Sequence, residues 1–484
     1  MSADFEMVVG LETHVQLATR TKLFCACPTD GFGAPANSRI CPLCTGQPGV
    51  LPVLNRAAVE LAFQAALALN CRIAAASVFA RKNYFYPDLP KAYQISQYEK
   101  PFSSDGWLDI RVQGTQKRVR IGRIHLEEDA GKLLHAVGSR ELDCSLVDFN
   151  RGGVPLIEIV SEADLRSPEE AVAYLRGLRE VIQYLGVSRC DMEKGEMRCD
   201  ANVSVRPVGA AEFGTRTEIK NLNSVRAVKD ALEYEFRRQT GLLAGGGRVS
   251  QETLLWDAQA GATRPMRSKE GAEDYRYFPD PDLPPLVADA KWLDELKARL
   301  PELPAARRER FAAEYGLGAE DAELLASSRG LADYFDDAAR GRAPGVAKTA
   351  ANLVATELLA RLNAEALEPE AARLPPAELG ALAALVVDGT LSSKGAKAVF
   401  AALWEEGGTA AEAVARLGLA QVSDEAAVGA WVREALAANP KAAADLKAGR
   451  ARAAGALVGA VMKLSQGKAD PVVVNRLIQE SMKP

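Results

Sequence analysis

No stretch of the sequence reaches the roughly 18 consecutive apolar residues that a membrane-spanning helix needs, so no transmembrane segment is expected. A basic and then apolar leader is missing as well. The chain opens Met1-Ser-Ala-Asp-Phe-Glu6, acidic where a secretion signal is basic, which points to the cytoplasm. Neither sign of charge is in excess: 59 Lys and Arg face 64 Asp and Glu, a net charge of −5, so the molecule as a whole is not a cationic surface for nucleic acid. Three common chemical signatures are absent too: the phosphate loop G-x-x-x-x-G-K-[ST], the dinucleotide turn G-x-G-x-x-G and the nucleophile elbow G-x-S-x-G. A nucleotide, if bound, would need another kind of site.

What is there is unevenly distributed. The chain has 484 residues, enough for about three domains at roughly 150 residues each. All eight cysteines lie between Cys25 and Cys199, and all three histidines between His14 and His135. Alanine, the best helix former, supplies 34 of the first 300 residues but 49 of the last 184. The first 290 residues therefore read as mixed strand and helix, and the remainder as helical. The segment Tyr277-Phe-Pro-Asp-Pro-Asp-Leu-Pro-Pro285 closes the first part, because its four prolines remove amide donors and fix φ. Later breaks at Gly341–Pro344, Glu368-Pro369, Leu374-Pro-Pro376, Gly407-Gly408, Asn439-Pro440 and Gly467–Pro471 divide the helices. The expected domains are 1–290, an α+β domain; 291–375, a helical linker; and 376–484, a helical tail.

Side chains alternate faces along a strand, so parity can be read from the sequence. In Met7–Leu17, Met7, Val9, Leu11, Val15 and Leu17 share one face, while Glu12, His14 and Gln16 share the other. In Asp200–Arg206 the apolar face is Ala201, Val203 and Val205, opposite Asp200, Asn202, Ser204 and Arg206. Arg216, Glu218 and Lys220 repeat the pattern beside Thr217 and Ile219. A bulge near Gly122 would put Glu128 in line with Ile124 and Leu126, and Glu158 is flanked by Ile157 and Ile159. These faces could simply meet solvent. A carboxylate among apolar neighbours is costly, however, unless it is paired or bound to a cation. Oxygen ligands with one imidazole suit Mg²⁺ and a substrate phosphate.

The cysteines are more specific. Cys25-x-Cys27 and Cys41-x-x-Cys44 are two close pairs separated by thirteen residues, a structural zinc spacing. Disulfides are disfavoured without a secretory signal, and buried free thiols are the other bland alternative. Four thiolates would close the site, so zinc here would hold a loop and not act on a substrate. Two basic elements are local. Lys82 lies in the aromatic turn Arg81–Lys91, and Lys441–Pro484 carries eight Lys or Arg against three Asp or Glu. Lys441, Lys447, Arg450, Arg452, Lys463 and Lys468 could meet an RNA backbone or could form a solvated face.

Long motifs in order now carry a family resemblance. Val9-Gly-Leu-Glu-Thr-His-Val-Gln16, Cys41-Pro-Leu-Cys-Thr-Gly-Gln-Pro-Gly49, Arg81-Lys-Asn-Tyr-Phe-Tyr-Pro-Asp88 and Asp148-Phe-Asn-Arg-Gly-Gly-Val-Pro-Leu-Ile-Glu-Ile-Val160 resemble the B subunit (GatB) of the tRNA-dependent amidotransferases. Arg198-Cys-Asp-Ala-Asn-Val-Ser-Val205, Glu218-Ile-Lys-Asn-Leu-Asn-Ser224, Tyr275-Arg-Tyr-Phe-Pro279 and the tail motifs Val461-Met-Lys463 and Gly467-Lys-Ala-Asp-Pro471 continue it over essentially the whole chain.

The resemblance implies an α+β catalytic cradle, an antiparallel sheet flanked by helices and similar to glutamine synthetase and guanidino kinases, followed by two all-α domains. It implies ATP- and Mg²⁺-dependent conversion of Glu on tRNA(Gln), or Asp on tRNA(Asn), to the amide. Ammonia would come from an amidase A subunit, with a small C subunit joining the two. By the same resemblance Glu12, His14, Glu128 and Glu158 are the expected catalytic and Mg²⁺ positions. Lys82, Asn202 and Glu218 are expected along the nucleotide, metal or ammonia path, Cys25, Cys27, Cys41 and Cys44 are expected to hold Zn²⁺, and the tail is expected to bind tRNA. Two other classes remain open: a non-catalytic zinc-stabilised RNA-binding adaptor, and a free-standing ATP-dependent ligase of a small amino acid.

Overall fold

The structure is a computed structural model that describes residues 4–137, 140–266, 275–422, 424–447, 450, 452–465 and 467–481. The chain forms two compact units, Met1–Leu303 and Pro304–Pro484. In the first unit the strands are β1 (Phe5–Gln16), β2 (Arg72–Ile73), β3 (Ala76–Ser77), β4 (Ala80–Asn83), β5 (Tyr93–Ser96), β6 (Ser103–Val112), β7 (Thr115–Glu128), β8 (Lys132–Val137) and β9 (Arg140–Asp148). They continue with β10 (Pro155–Ser161), β11 (Met197–Pro207), β12 (Thr217–Leu222), β13 (Thr253–Asp257), β14 (Ala262–Pro265), β15 (Phe278–Pro279) and β16 (Leu286–Val287). The helices are α1 (Arg56–Ala68), α2 (Pro168–Tyr184), α3 (Val225–Ala244) and α4 (Ala290–Ala298).

Nine strands form one sheet in the order β14-β13-β12-β11-β1-β10-β7-β6-β2. Its pairs are antiparallel, as expected from the sequence, except that β12 and β13 run parallel. The exception has a cause. Parallel neighbours need a crossover, and α3 lies between these two strands in the chain.

The parity of each strand decides which face is dry. Met7, Val9, Leu11 and Val15 of β1, Ile157 and Ile159 of β10, Ile124 and Leu126 of β7, and Ala201 and Val203 of β11 are buried in one core. Helices α2 and α3 contribute to that core through Ala171, Tyr174, Leu175, Leu178, Ile182, Val228, Ala231 and Leu232, spaced as one helical stripe requires. Each helix is started by a serine that accepts a hydrogen bond from the third helical amide, Ser167 from Glu170 N at 3.2 Å and Ser224 from Ala227 N at 3.0 Å. Fully burying a Leu, Ile or Val contributes about 1.5–3 kcal/mol, so this layer sets the sheet's position and leaves its other face free for polar groups.

The expected bulge is present. Arg123 pairs with Val160 but Ile121 pairs with Ser161, so Gly122 is the extra residue on β7. A side chain at Gly122 would stand 2.6 Å from Glu162 Oε1, which is why the bulge carries none. The last helix of the unit, α4, packs back on α1: the Trp292 ring lies 5.3 Å from Phe63, and Arg56 stacks over Trp292 at 5.1 Å.

The second unit is helical among its described residues: α5 (Pro304–Tyr315), α6 (Ala319–Leu325), α7 (Arg329–Ala339), α8 (Pro344–Leu353), α9 (Leu359–Glu365), α10 (Pro376–Val387), α11 (Ser393–Glu406), α12 (Ala410–Leu417), α13 (Glu425–Ala438), α14 (Pro440–Lys447), α15 (Arg452–Leu464) and α16 (Pro471–Glu480). Helices α8, α10, α14 and α16 each begin at a proline that the sequence marks as a break, where the missing amide costs nothing. A π-helical turn at Val354–Leu358, which had no sequence signal, joins α8 to α9. The last four helices have a core of their own, built on Val428, Val432, Leu457, Val461, Val474 and Ile478.

Candidate active site and metal centre

The polar face of the sheet is continuous across five strands. Register sets it: His14 stands opposite Glu158 on β10 and Arg198 on β11, Glu158 stands opposite His125 on β7, and Asn202 stands opposite Glu218 on β12. At its centre the side chains of His14, Glu127 and Glu158 converge, with one ligand atom from each within 4.8 Å of the others. His14 Nε2 lies 3.3 Å from Glu158 Oε2 and 3.6 Å from Glu127 Oε1. His125 Nε2 completes the group at 3.4 Å from Glu158 and 3.6 Å from Glu127. Its Nδ1 is buried without a hydrogen-bond partner among the described residues.

The electrostatics follow from this crowding. Burial pushes the His14 imidazole down, but the hydrogen bond to Glu158 and the charges of Glu158 and Glu127 outweigh it and bring its pKa to about 9. Burial raises the Glu158 carboxyl, yet His125, His14 and Lys82 together hold it well below the usual carboxylate range. Burial works against Glu127 in the same way, and its histidine neighbours likewise hold it down. Glu12 goes the other way. Burial and then the Glu158 charge raise its pKa, and the hydrogen bond from Asn202 Nδ2 at 2.8 Å only partly offsets them. Two carboxylates and an imidazole at these separations, with a third carboxylate beside them, fit a hard divalent cation such as Mg²⁺.

Of the residues expected from the sequence, Glu12, His14, Glu158 and Asn202 meet on this face. Glu218 adjoins them through Lys220, whose ammonium bridges Asp200 and Glu218, the latter at 2.5 Å. Lys82, on β4, sits over the Tyr84 and Tyr275 rings at 5.8 and 4.9 Å. Burial lowers its pKa, but the charges of Glu127 and Glu158 outweigh that and raise it.

Glu128 is not brought to this cluster. It follows Glu127 on the strand, so its side chain leaves from the opposite face, where it accepts from Ile95 N at 3.0 Å and pairs with Lys91. The parity that put Glu128 in line with Ile124 and Leu126 is therefore the reason it does not meet His14. Glu127 and His125 were missed by sequence reasoning, although His125-x-Glu127 has the same period-two spacing as Glu12-x-His14. Asp129 was missed too. It is buried and receives hydrogen bonds from Gln16 at 2.8 Å and Arg198 at 2.9 Å. Burial raises its pKa, but Arg198 and Arg151 hold it below the usual carboxylate range.

The four cysteines of the expected zinc site do come together. Their sulfurs lie within 4.8 Å of one another, with Cys25–Cys44 at 3.5 Å and Cys41–Cys44 at 3.7 Å. A tetrahedron with metal–sulfur bonds of about 2.3 Å has edges of about 3.8 Å, so this set fits Zn²⁺. Cys44 is the thiol brought down, to about 4, first by its hydrogen bond with Cys25 and, against burial, by the Lys22 charge; Cys25 is pushed up in exchange. The loop is tied to the β8–β9 ribbon by Asn37, which donates to Val147 O at 3.0 Å, and to the turn after β9 by Asn150, which donates to Pro35 O at 2.8 Å. Cys71, Cys190 and Cys199 are buried singly, whereas Cys144 is exposed on β9. Burial of a thiol needs an apolar layer on both sides, and the two-stranded β8–β9 ribbon offers none.

Two family models match the chain: the GatB/GatE catalytic domain over residues 7–294 and the GatB domain over residues 333–482. Among similar proteins, the B subunit of the aspartyl/glutamyl-tRNA(Asn/Gln) amidotransferase from Carboxydothermus hydrogenoformans is 52% identical over 479 residues, covering 99% of each chain. Its counterpart from Moorella thermoacetica is 53% identical, covering 99% of this chain and 100% of its own. The one from Geobacter sulfurreducens is 52% identical, with 99% of this chain and 100% of its own covered. With family models and similarity in agreement, the chain belongs to the family of aspartyl/glutamyl-tRNA(Asn/Gln) amidotransferase B subunits.

Proposed function

We propose that this chain is the carboxylate-activating and amide-forming half of such an amidotransferase. A carboxylate is a poor acceptor for ammonia because it would have to expel oxide. Transfer of the γ-phosphoryl group of ATP to the side-chain carboxylate of Glu on tRNA(Gln), or Asp on tRNA(Asn), makes an acyl phosphate and ADP. Ammonia then adds to the acyl carbon, the C–O bond to phosphate breaks, and the departing phosphate takes up the proton that the nitrogen loses. The observation that carries this reading is the polar face on which His14, Glu127 and Glu158 converge with Glu12 beside them.

Such chemistry needs positioning and charge neutralisation more than covalent help from the protein. Mg²⁺ held by His14, Glu127, Glu158 and Glu12 would neutralise phosphate charge. Lys82 adds a fixed positive charge close to Glu127 and Glu158, while Asn202 orients Glu12. Glu218, paired with Lys220, is assigned to the nucleotide, metal or ammonia path. We place Glu128 instead in the wall beside the zinc loop, where Lys91 satisfies it. The sheet with its two covering helices is read as the glutamine synthetase-like cradle, and Zn²⁺ on the four cysteines as a structural clasp.

Glutamine hydrolysis is assigned to an amidase A subunit, joined by a small C subunit, in the cytoplasm; among the described residues no helix is long and apolar enough to cross a membrane. The functional segments are taken as 1–290 for the cradle, 291–375 for a linker and 376–484 for tRNA contact. In the last of these, Lys441, Lys447, Arg450, Arg452, Lys463 and Lys468 offer phosphate contacts.

The test mixes the purified complex with ATP labelled on the γ-phosphate, Mg²⁺, ammonium and glutamyl-tRNA(Gln), and scores amidated tRNA and released phosphate. The parent should make both, and Glu158→Gln neither. Equal yields from the two would favour a non-catalytic adaptor, and turnover without tRNA would favour a free-standing ligase.

A further inference from the structure

Lys22 is fully buried, which is rare for a lysine. Its ammonium has two acceptors: the Cys44 sulfur at 3.5 Å and Phe149 O at 3.3 Å. Among the described residues no carboxylate lies within ion-pair distance of it, and the nearby Glu128 is already taken by Lys91. Its own amide donates to Cys27 O at 2.9 Å, so backbone and side chain both hold the cysteine loop. A buried ammonium facing only one carbonyl and one sulfur is incompletely compensated. Four thiolates around a divalent ion, by contrast, carry a formal charge of −2 in the same low-dielectric place. Each charge solves the other's problem.

We propose that Lys22 is the charge-compensating member of the metal centre: its ammonium donates to the Cys44 thiolate and offsets part of the excess negative charge of a zinc tetrathiolate. The arrangement reaches beyond the loop, because Lys22, Cys25, Cys44, Lys91, Glu128 and Asp129 line one small cavity of about 20 Å³, room for about one water. Gly153, at φ +84°, lets the chain pass between Lys22 and Glu128; a methyl group there would stand 3.4 Å from the lysine stem and 3.9 Å from the carboxylate.

The test uses the full chain with Lys22→Met, which keeps the stem and removes the charge. Zinc affinity is read by competition with a chromophoric chelator, and thermal unfolding is followed with metal loaded and with metal stripped. Lys22→Met should weaken zinc binding by about tenfold or more, the scale of losing an outer partner of a metal ligand. It should lower the melting temperature of the loaded chain while leaving that of the stripped chain unchanged or higher. A lysine that only fills space would lower both melting temperatures equally, and that result, or unchanged zinc affinity, overturns the proposal. If Lys22→Met does not fold, Lys22→Gln keeps a donor without the charge and is held to the same criteria. A parent chain that binds no zinc also overturns it.

Discussion

Glu127 and Glu128 are neighbours in the chain and serve different sites. Glu127 Oε1 lies 3.6 Å from His14 Nε2 on the polar face, whereas Glu128 accepts from Ile95 N at 3.0 Å on the other side of the strand and pairs with Lys91. Because successive side chains on a strand point apart, no small shift of the backbone lets both reach one ion.

Glu127→Gln and Glu158→Gln are expected to lower transamidation by the reconstituted complex at least about 100-fold, the scale of removing one group that stabilises transition-state charge. Each should also lower thermal stability, because against burial the histidine neighbours hold both carboxyls below the usual carboxylate range and an amide forfeits that pairing. The check is steady-state amidation of the tRNA-bound residue beside a melting curve.

Glu128→Gln should differ from that pair in touching no member of the His14 cluster, so that its effect falls on stability. It keeps an acceptor for Ile95 N but leaves the Lys91 ammonium, only 11% exposed, without its charge partner. Breaking a buried pair from one side costs about 3–5 kcal/mol, and partial exposure of Lys91 should bring the loss to the lower end. Urea unfolding of the purified chain measures it.

Asp129 gives the fold an acid limb. Burial raises its pKa, but Arg198 and Arg151 hold it below the unfolded value of about 3.9. A carboxyl depressed in the folded state contributes stability above the unfolded value and loses it as pH falls through the folded one. Unfolding free energy should therefore drop below about pH 4 in the parent and more shallowly in Asp129→Asn, which would start from a lower plateau at pH 7. Denaturant titrations at a series of pH values would show equal slopes if Asp129 were irrelevant.

Metal removal should be visible in thiol chemistry. In the loaded chain the exposed Cys144 should react quickly with a thiol reagent, while Cys71, Cys190 and Cys199 stay buried. Stripping the chain with a chelator should add Cys25, Cys27, Cys41 and Cys44 to the fast-reacting set. Counting released chromophore before and after chelation decides it.

Much of this protein was legible without coordinates. Period-two alternation in Met7–Leu17 and Asp200–Arg206 named the dry and polar faces of β1 and β11, because that alternation is a property of a single strand. Prolines and glycines named the helix breaks, since they act on their own residue's dihedrals. The paired cysteines named a closed four-sulfur centre through short-range spacing alone. Other things had to wait for the tertiary structure. Which carboxylate meets His14 depends on how β1, β10 and β7 line up, strands that are distant in sequence and brought into register by the core beneath them. The burial of Lys22 against Cys44, the pairing of Glu128 with Lys91, and the parallel placement of β13 beside β12 are likewise contacts between segments whose separation the chain does not encode locally. Local sequence determined the face each side chain takes, and the packing of whole strands and helices decided what that face meets.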